Sequence, residues 1–318
     1  MTAVIAAEAS APAKIILFGE HAVVHGQPAI AAPISALRAF ALAVPAPPGT
    51  GLIIDTADLG ERLVIPSYGE PADHPLARAA RLALAAVNVT GVELAVTLRS
   101  QIPIASGLGS GAALTAALMR ALAGAVGNPI EDARLNDLVY EIEREFHGTP
   151  SGIDNTVVVY ERAISFVRGQ RPALLTVGQP FNLVVADTGI RSSTKEAVMG
   201  VHALLASDPA GTQSVIEAIG GVVHQAQAAI ARGELVALGP LMNENHRLLQ
   251  GLTVSSPELD RLVEAARAAG AQGAKLSGGG RGGNMIALCP PGSEAVVSAA
   301  LLAAGAQRVI TTRVEAHA

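Results

Sequence analysis

The chain has 318 residues, long enough for two ordinary domains or one large one. Half are hydrophobic and only 15% are charged, which supplies a large core and excludes a disordered chain. The net charge of −5 excludes a general polyanion-binding surface, and with it nucleic acid as a partner, but leaves room for a local phosphate pocket.

The opening "MTAVIAAEAS" lacks a basic start and carries Glu8, so no secretory signal is expected. "AKIILFGEH" from Ala13 predicts a buried strand. The apolar run that follows is interrupted by Pro33 and Arg38, and a later one by Arg120, so neither predicts a membrane span. A soluble, cytoplasmic protein is the expectation. "GLIIDT" and "VELAVTLRS" read as further strands, with a helix from Pro75 through Val87 between them. Residues 110 to 126 predict an apolar helix that stops near Gly127. "NPIEDARLNDLVYEIEREFHG" opens with Asn128 and Pro129 as an N-cap and first-turn pair. Leu135, Leu138, Val139, Ile142 and Phe146 mark its buried face. "TVVVYERAISFVRG" reads as two strands around a turn at Glu161 and Arg162. A proline-bearing stretch from Gly169 to Pro180 is the best domain boundary. After it come the strand "FNLVVAD", several helices between about Thr194 and Ala269, a glycine loop ahead of the strand ending at Cys289, a helix and the strand "AQRVITTRV". A lone cysteine excludes an intrachain disulfide and a multi-cysteine metal site. The order of elements is α+β, without the alternation of a doubly wound sheet.

Three segments carry chemistry. "IPIASGLGSGAALTAAL" sets flexible backbone directly before a helix, where N–H groups form an anion site; a tight packing turn is the alternative. It lacks the Gly-Lys-Ser/Thr of a Walker A loop. "HGTPSGIDN" follows an acidic helix, and its Asp154 reads as a turn residue, as a base beside an alcohol or as a charge facing a metal. "SGGGRGG" suits either a flexible hairpin or a phosphate contact built around one arginine.

Taken together, these segments resemble the galactokinase–homoserine kinase–mevalonate kinase–phosphomevalonate kinase superfamily through nearly the whole chain. "KIILFGEHAVVHGQPAIA", "HGTPSGIDN", "DTGIRSSTKEAV" and "AKLSGGGRGGNMIAL" are most similar to its mevalonate kinase branch. The resemblance implies a two-domain α+β fold: a ribosomal-protein-like N-terminal domain over 1–178 and a ferredoxin-like C-terminal domain over 179–318. It implies ATP and Mg²⁺ as cofactors and mevalonate as the small-molecule substrate, and it is compatible with a homodimer. Asp154 matches the catalytic aspartate and Lys14 the lysine paired with it. Pro103, Ser106, Gly107, Leu108, Gly109, Ser110, Gly111 and Ala112 match the ATP phosphate loop, with Arg281 in the C-terminal glycine motif. Glu143 matches the Mg²⁺ carboxylate, joined by the Ser110 hydroxyl. Glu20, His21 and Thr194 fall in motifs expected near the substrate.

Two positions depart from the pattern. The family's loop usually carries a second serine where this chain has Gly111, and its glycine motif is uninterrupted where this chain has Arg281. Another isoprenoid-pathway kinase of the superfamily, and a metabolite sensor without efficient transfer, remain as alternatives at this level.

Overall fold

The computed structural model describes residues 4–56, 58, 60–65, 74–103, 106–147 and 151–317, excluding the side chains of 146 and 147. The buried role expected of Phe146 lies outside the described residues. Two compact units form: one from Met1–Ala13, Leu37–Ile104 and Leu108–Glu161, the other from Lys14–Ala36, Ala105–Gly107 and Arg162–Ala318. Two long strands, β1 (Ala7–Phe18) and β2 (Pro28–Pro45), pair with each other and contribute residues to both.

In the first unit, β3 (Leu52–Thr56) and β4 (Glu61–Ile65) form a hairpin. A crossover through α1 (Pro75–Ala86) then lets β5 (Leu94–Ser100) run parallel to β3 and antiparallel to the second half of β2. Helices α2 (Ser110–Ala125), α3 (Asp132–His147) and α4 (Ile153–Tyr160) pack pairwise on one another, and α1 joins α2 and α3. Seven of the eleven buried residues of α2 are alanine, which favours this close approach.

Two expectations are corrected here. The "TVVVY" run is the end of α4, because Val157, Val158 and Val159 are all buried where α4 packs on α2 and α3. Burial in a helical layer overrides the β-preference of valine. Only the second half of that segment, β6 (Ile164–Val167), is a strand. Likewise Asn128 does not cap α3, which begins at Asp132. Asn128 belongs to the preceding turn: its N–H donates to Ala123 O and its Nδ2 to Val87 O at 3.4 Å. At the end of α4, Glu161 has φ 51°, and its carboxylate accepts from Arg38 and Arg120.

In the second unit, the first half of β2 pairs with β6, and β6 with the short β7 (Ala173–Leu174). A four-stranded antiparallel sheet in the order β11–β8–β10–β9 carries the C-terminal part. Its strands are β8 (Phe181–Asp187), β9 (Gly273–Ser277), β10 (Asn284–Cys289) and β11 (Arg308–Val314). Helices α5 (Thr194–Ser207), α6 (Pro209–Arg232), α7 (Leu235–Gly251), α8 (Pro257–Ala268) and α9 (Glu294–Ala303) complete it. Strand β9 is the sheet edge, and α7 covers it. A Cβ on Gly273 would lie 2.2 Å from Gly239 O, so these two glycines bring helix and strand into contact. Asn243 Oδ1 and His246 Nδ1 then accept the Ala274 and Leu276 N–H groups at 3.0 and 3.3 Å. These bonds satisfy the outward donors of an edge strand that would otherwise be sticky. His246 works as a neutral ring: burial lowers its pKa to about 4, and its Nε2 faces Asp260 Oδ1 at 3.1 Å.

No helix among the described residues is long and apolar enough to cross a membrane.

Candidate active site

The first unit carries the glycine loop and two acidic groups. Gly109, with φ 76°, is the N-cap of α2, and no side chain caps that helix. A left-handed cap is open to glycine at little cost and strained for other residues. Ser110 opens the helix, and Leu108 and Ala112 are buried beside it. Gly111 lies inside the first turn, and a Cβ built on it would sit 3.2 Å from Glu143 Oε1. Its glycine therefore admits the buried Glu143 carboxylate of α3 close to the helix start, where the macrodipole favours negative charge. Asp154 lies in the first turn of α4, after Gly152 with φ 88°. Pro103 immediately precedes the undescribed part of the loop.

The second unit gathers the residues expected near the substrate. Gly19 has φ 94°, and a Cβ there would meet Pro28 O at 2.4 Å, so only glycine fits. The chain turns sharply after it: Glu20 is 1% exposed, and His21 has φ 59° ahead of a 3₁₀ turn over Ala22–His25. His21 Nε2 lies 2.9 Å from Gly279 O, and a Cβ on Gly279 would lie 2.8 Å from Thr194 Oγ1. Glu20, His21 and Thr194 thus meet at the glycine loop between β9 and β10. Burial holds the His21 pKa below its ordinary value and keeps the ring neutral. Lys14 is buried on β1, the strand that leads into this turn. Ser277 Oγ, at the end of β9, donates to Ile16 O at 2.7 Å and ties the two strands together.

The same loop holds part of the phosphate segment. Asn284 Nδ2 donates to Ser106 O at 2.8 Å, and Gly107 follows with φ 74°. Gly280, Gly282 and Gly283 also take positive φ, as does Arg281 at 58°. The Arg281 guanidinium lies over α5, where a Cβ on Gly200 would meet Nη2 at 2.3 Å, and its Nε donates to Thr253 O at 3.4 Å.

Two residues escaped the sequence reading. Lys275 is fully buried and pairs with Glu20. Asn245 is fully buried on α7 and accepts the Gly19 N–H at 3.4 Å. The signal available in the sequence is a charge set in an apolar run at each end: Glu20 beside "AVV" and Lys275 within "GAKLS". Among the described residues, Glu20 Oε2, His21 Nδ1 and Asn245 Nδ2 are buried without a hydrogen-bond partner. Three such atoms on and beside a single turn are costly for a fold, at about 1–3 kcal/mol each, unless a polar ligand or water meets them.

The segments match the family profiles described as "GHMP kinases N terminal domain" over residues 75–162 and "GHMP kinases C terminal" over residues 226–307. A mevalonate kinase of Pyrococcus horikoshii is 37% identical over 322 residues, covering 95% of this chain and 94% of the relative. One of Thermococcus gammatolerans is 36% identical, covering 93% of each. The chain belongs to the mevalonate kinase family. Its solved members share the fold throughout: L. major mevalonate kinase in complex with R-mevalonate aligns with a TM-score of 0.86 at 30% identity, covering 100% of this chain and 98% of that one. The Methanococcus jannaschii mevalonate kinase aligns at 0.83 and 25%, covering 99% of each. The two-domain α+β GHMP kinase fold is thereby that of this chain, and the four-stranded antiparallel sheet falls in its C-terminal part.

Proposed function

We propose that this protein transfers the γ-phosphoryl group of ATP to the 5-hydroxyl of mevalonate, giving 5-phosphomevalonate for isoprenoid biosynthesis. Family membership supports the reaction class. The observation that supports a small polar acceptor is the set of unpartnered buried atoms at the Glu20–His21 turn, adjoining Thr194 and the glycine loop. The proposed division of labour gives residues 1–178 the phosphate loop and catalytic groups, and residues 179–318 the C-terminal domain. We place the reaction in the cytoplasm.

Phosphoryl transfer asks a protein for alignment and charge neutralisation rather than covalent chemistry. In this reading the backbone N–H groups from Ser106 to Ala112 hold the phosphates at the start of α2. Asp154 accepts the acceptor hydroxyl's hydrogen bond and favours loss of its proton. Lys14 offsets the negative charge that develops on the reacting oxygens. Glu20, His21 and Thr194 hold the acceptor, and Arg281 reaches the phosphates by leaving its rest on α5.

Mg²⁺ fits the residues present. Among the described residues no group of three or more His, Cys, Asp or Glu could hold a metal by itself. Glu143 and the Ser110 hydroxyl are hard oxygen donors beside the proposed phosphate site, the kind of donor that Mg²⁺ uses together with nucleotide oxygens and water. When bound, the ion would neutralise charge on the phosphates. Gly111 removes one hydroxyl of the family pattern and at the same time gives the Glu143 carboxylate its close approach to the helix.

The test is an acceptor panel. Purified protein with ATP and Mg²⁺ is expected to phosphorylate mevalonate more efficiently than phosphomevalonate, homoserine or galactose; preference for another acceptor overturns the substrate. Asp154→Asn keeps the shape, removes the charge and is expected to lower kcat at least about a hundredfold. Near-normal turnover would return Asp154 to a turn residue.

A further inference from the structure

We propose that Lys275 is a positioning residue for the phosphoryl acceptor: it holds the Glu20 carboxylate in one charged orientation, with the second carboxylate oxygen left to receive the acceptor. This rests on the acceptor site proposed above. Lys275 is 0% exposed and stands on a strand whose other side chains are small or aliphatic apart from Ser277. Its Nζ meets Glu20 Oε1 and donates to Leu276 O at 2.6 Å. The contact spans 255 positions of sequence, from the edge strand β9 to the turn after β1. Glu20 Oε2 has no partner among the described residues, and neither do the neighbouring His21 Nδ1 and Asn245 Nδ2.

The pair is a poor device for stability alone. A buried ion pair gives back in desolvation much of what it gains in attraction, and a well-packed apolar pair often serves as well. It is a good device for fixing direction. The fold holds the backbone around it in positions with no slack: Gly19 excludes a side chain against Pro28 O, and His21 is held left-handed at φ 59°. Strain concentrated at such a turn is common where a site must be preorganised. Burial pushes the Glu20 carboxyl up and the Lys275 ammonium down, and each partner opposes the shift of the other. Without Lys275, burial would push the Glu20 carboxyl further up, with only the backbone N–H groups of Glu20 and Gly278 left to oppose it.

The experiment compares Lys275→Met, Glu20→Gln and the double variant in the full-length chain, with mevalonate and ATP varied separately. Losing a hydrogen bond to a charged group corresponds to about tenfold or more in binding, so Lys275→Met is expected to raise the KM for mevalonate at least about tenfold and leave that for ATP within about twofold. Its defect should shrink as pH rises and Glu20 regains its charge. The double variant should bind mevalonate no worse than Glu20→Gln, because Lys275 acts only through Glu20. Equal rises in both KM values, a defect that ignores pH, or additive losses in the double variant would each overturn the proposal. If the wild-type protein leaves mevalonate unphosphorylated, the acceptor reading fails on its own, and thermal unfolding still tests the pairing. A carboxyl raised in the folded state contributes stability at low pH and loses it as pH rises through the folded value. The Tm deficit of Lys275→Met should therefore widen with pH and that of the double variant should not; parallel deficits would refute the pairing.

Discussion

Two kinds of helix start stand apart among the described residues. In the second unit, α5, α6 and α8 start from Ser193, Asp208 and Ser256, whose side chains accept the N–H groups of Glu196, Gly211 and Leu259 at 3.3, 3.0 and 3.3 Å. In the first unit, α1 is capped in the same way, His74 Nδ1 accepting the Leu76 N–H at 3.2 Å, but α2 and α4 start from Gly109 and Gly152, both left-handed and both without a side-chain cap. α7 and α9 also lack such a cap, but they begin at Glu234 and Ser293 with negative φ. A side-chain cap satisfies the helix from within; a glycine start turns the same donors toward whatever arrives. The two glycine-started helices are the ones that carry the proposed phosphate loop and Asp154. The contrast separates helices that are finished by folding from helices proposed to be finished by substrate.

The strongest way to break this contrast is at the carboxylate beneath the α2 start. Glu143→Gln keeps the size of the side chain and removes the charge, and it is expected to shift the Mg²⁺ concentration for half-maximal activity upward by about tenfold or more. Unchanged metal dependence would remove Glu143 from the site even in an active kinase. Next comes the cap itself: Gly109→Val forces a β-branched residue to φ 76°. It should cost about 1–3 kcal/mol of stability and raise the KM for ATP, measured by denaturant midpoint and steady-state kinetics. A wild-type KM in a folded variant would make the loop a packing turn. The smallest effect sharpens the other side of the comparison. Ser256→Ala should cost about 1 kcal/mol in the same denaturation experiment and leave both KM values alone.

Most of the architecture was readable from periodicity and turn chemistry. Pro75 marks the first residue of α1, Gly127 follows the end of α2, and "FNLVVAD" is β8 in full. The misreadings occurred where tertiary packing decides. The valines of α4 look like a strand until they are set against α2 and α3, while β2, an 18-residue strand running through Pro33 and Arg38, carries no alternation that announces it. The site divided along the same line. Glu20, His21 and Thr194 sit in recognisable motifs, and the fold brings them to one glycine loop. Lys275 looks like an ordinary strand-edge charge; its burial and its pairing with Glu20 are produced by the fold, across a separation no local pattern spans.

The alanines of α2 have a consequence for order. Ala112, Ala113, Ala116, Ala117, Ala121, Ala123 and Ala125 are all buried, and each is a side chain with no rotamer to choose. At those seven positions the helix behind the glycine loop becomes fixed with no side-chain entropy lost, while Thr115, Leu118, Met119 and Leu122 make up the rest of its buried surface. A larger residue at Ala116, Ala117, Ala121, Ala123 or Ala125 would bring both a clash and a set of alternative conformations, so variation there should loosen the start of α2 from behind, without touching a single residue of the loop.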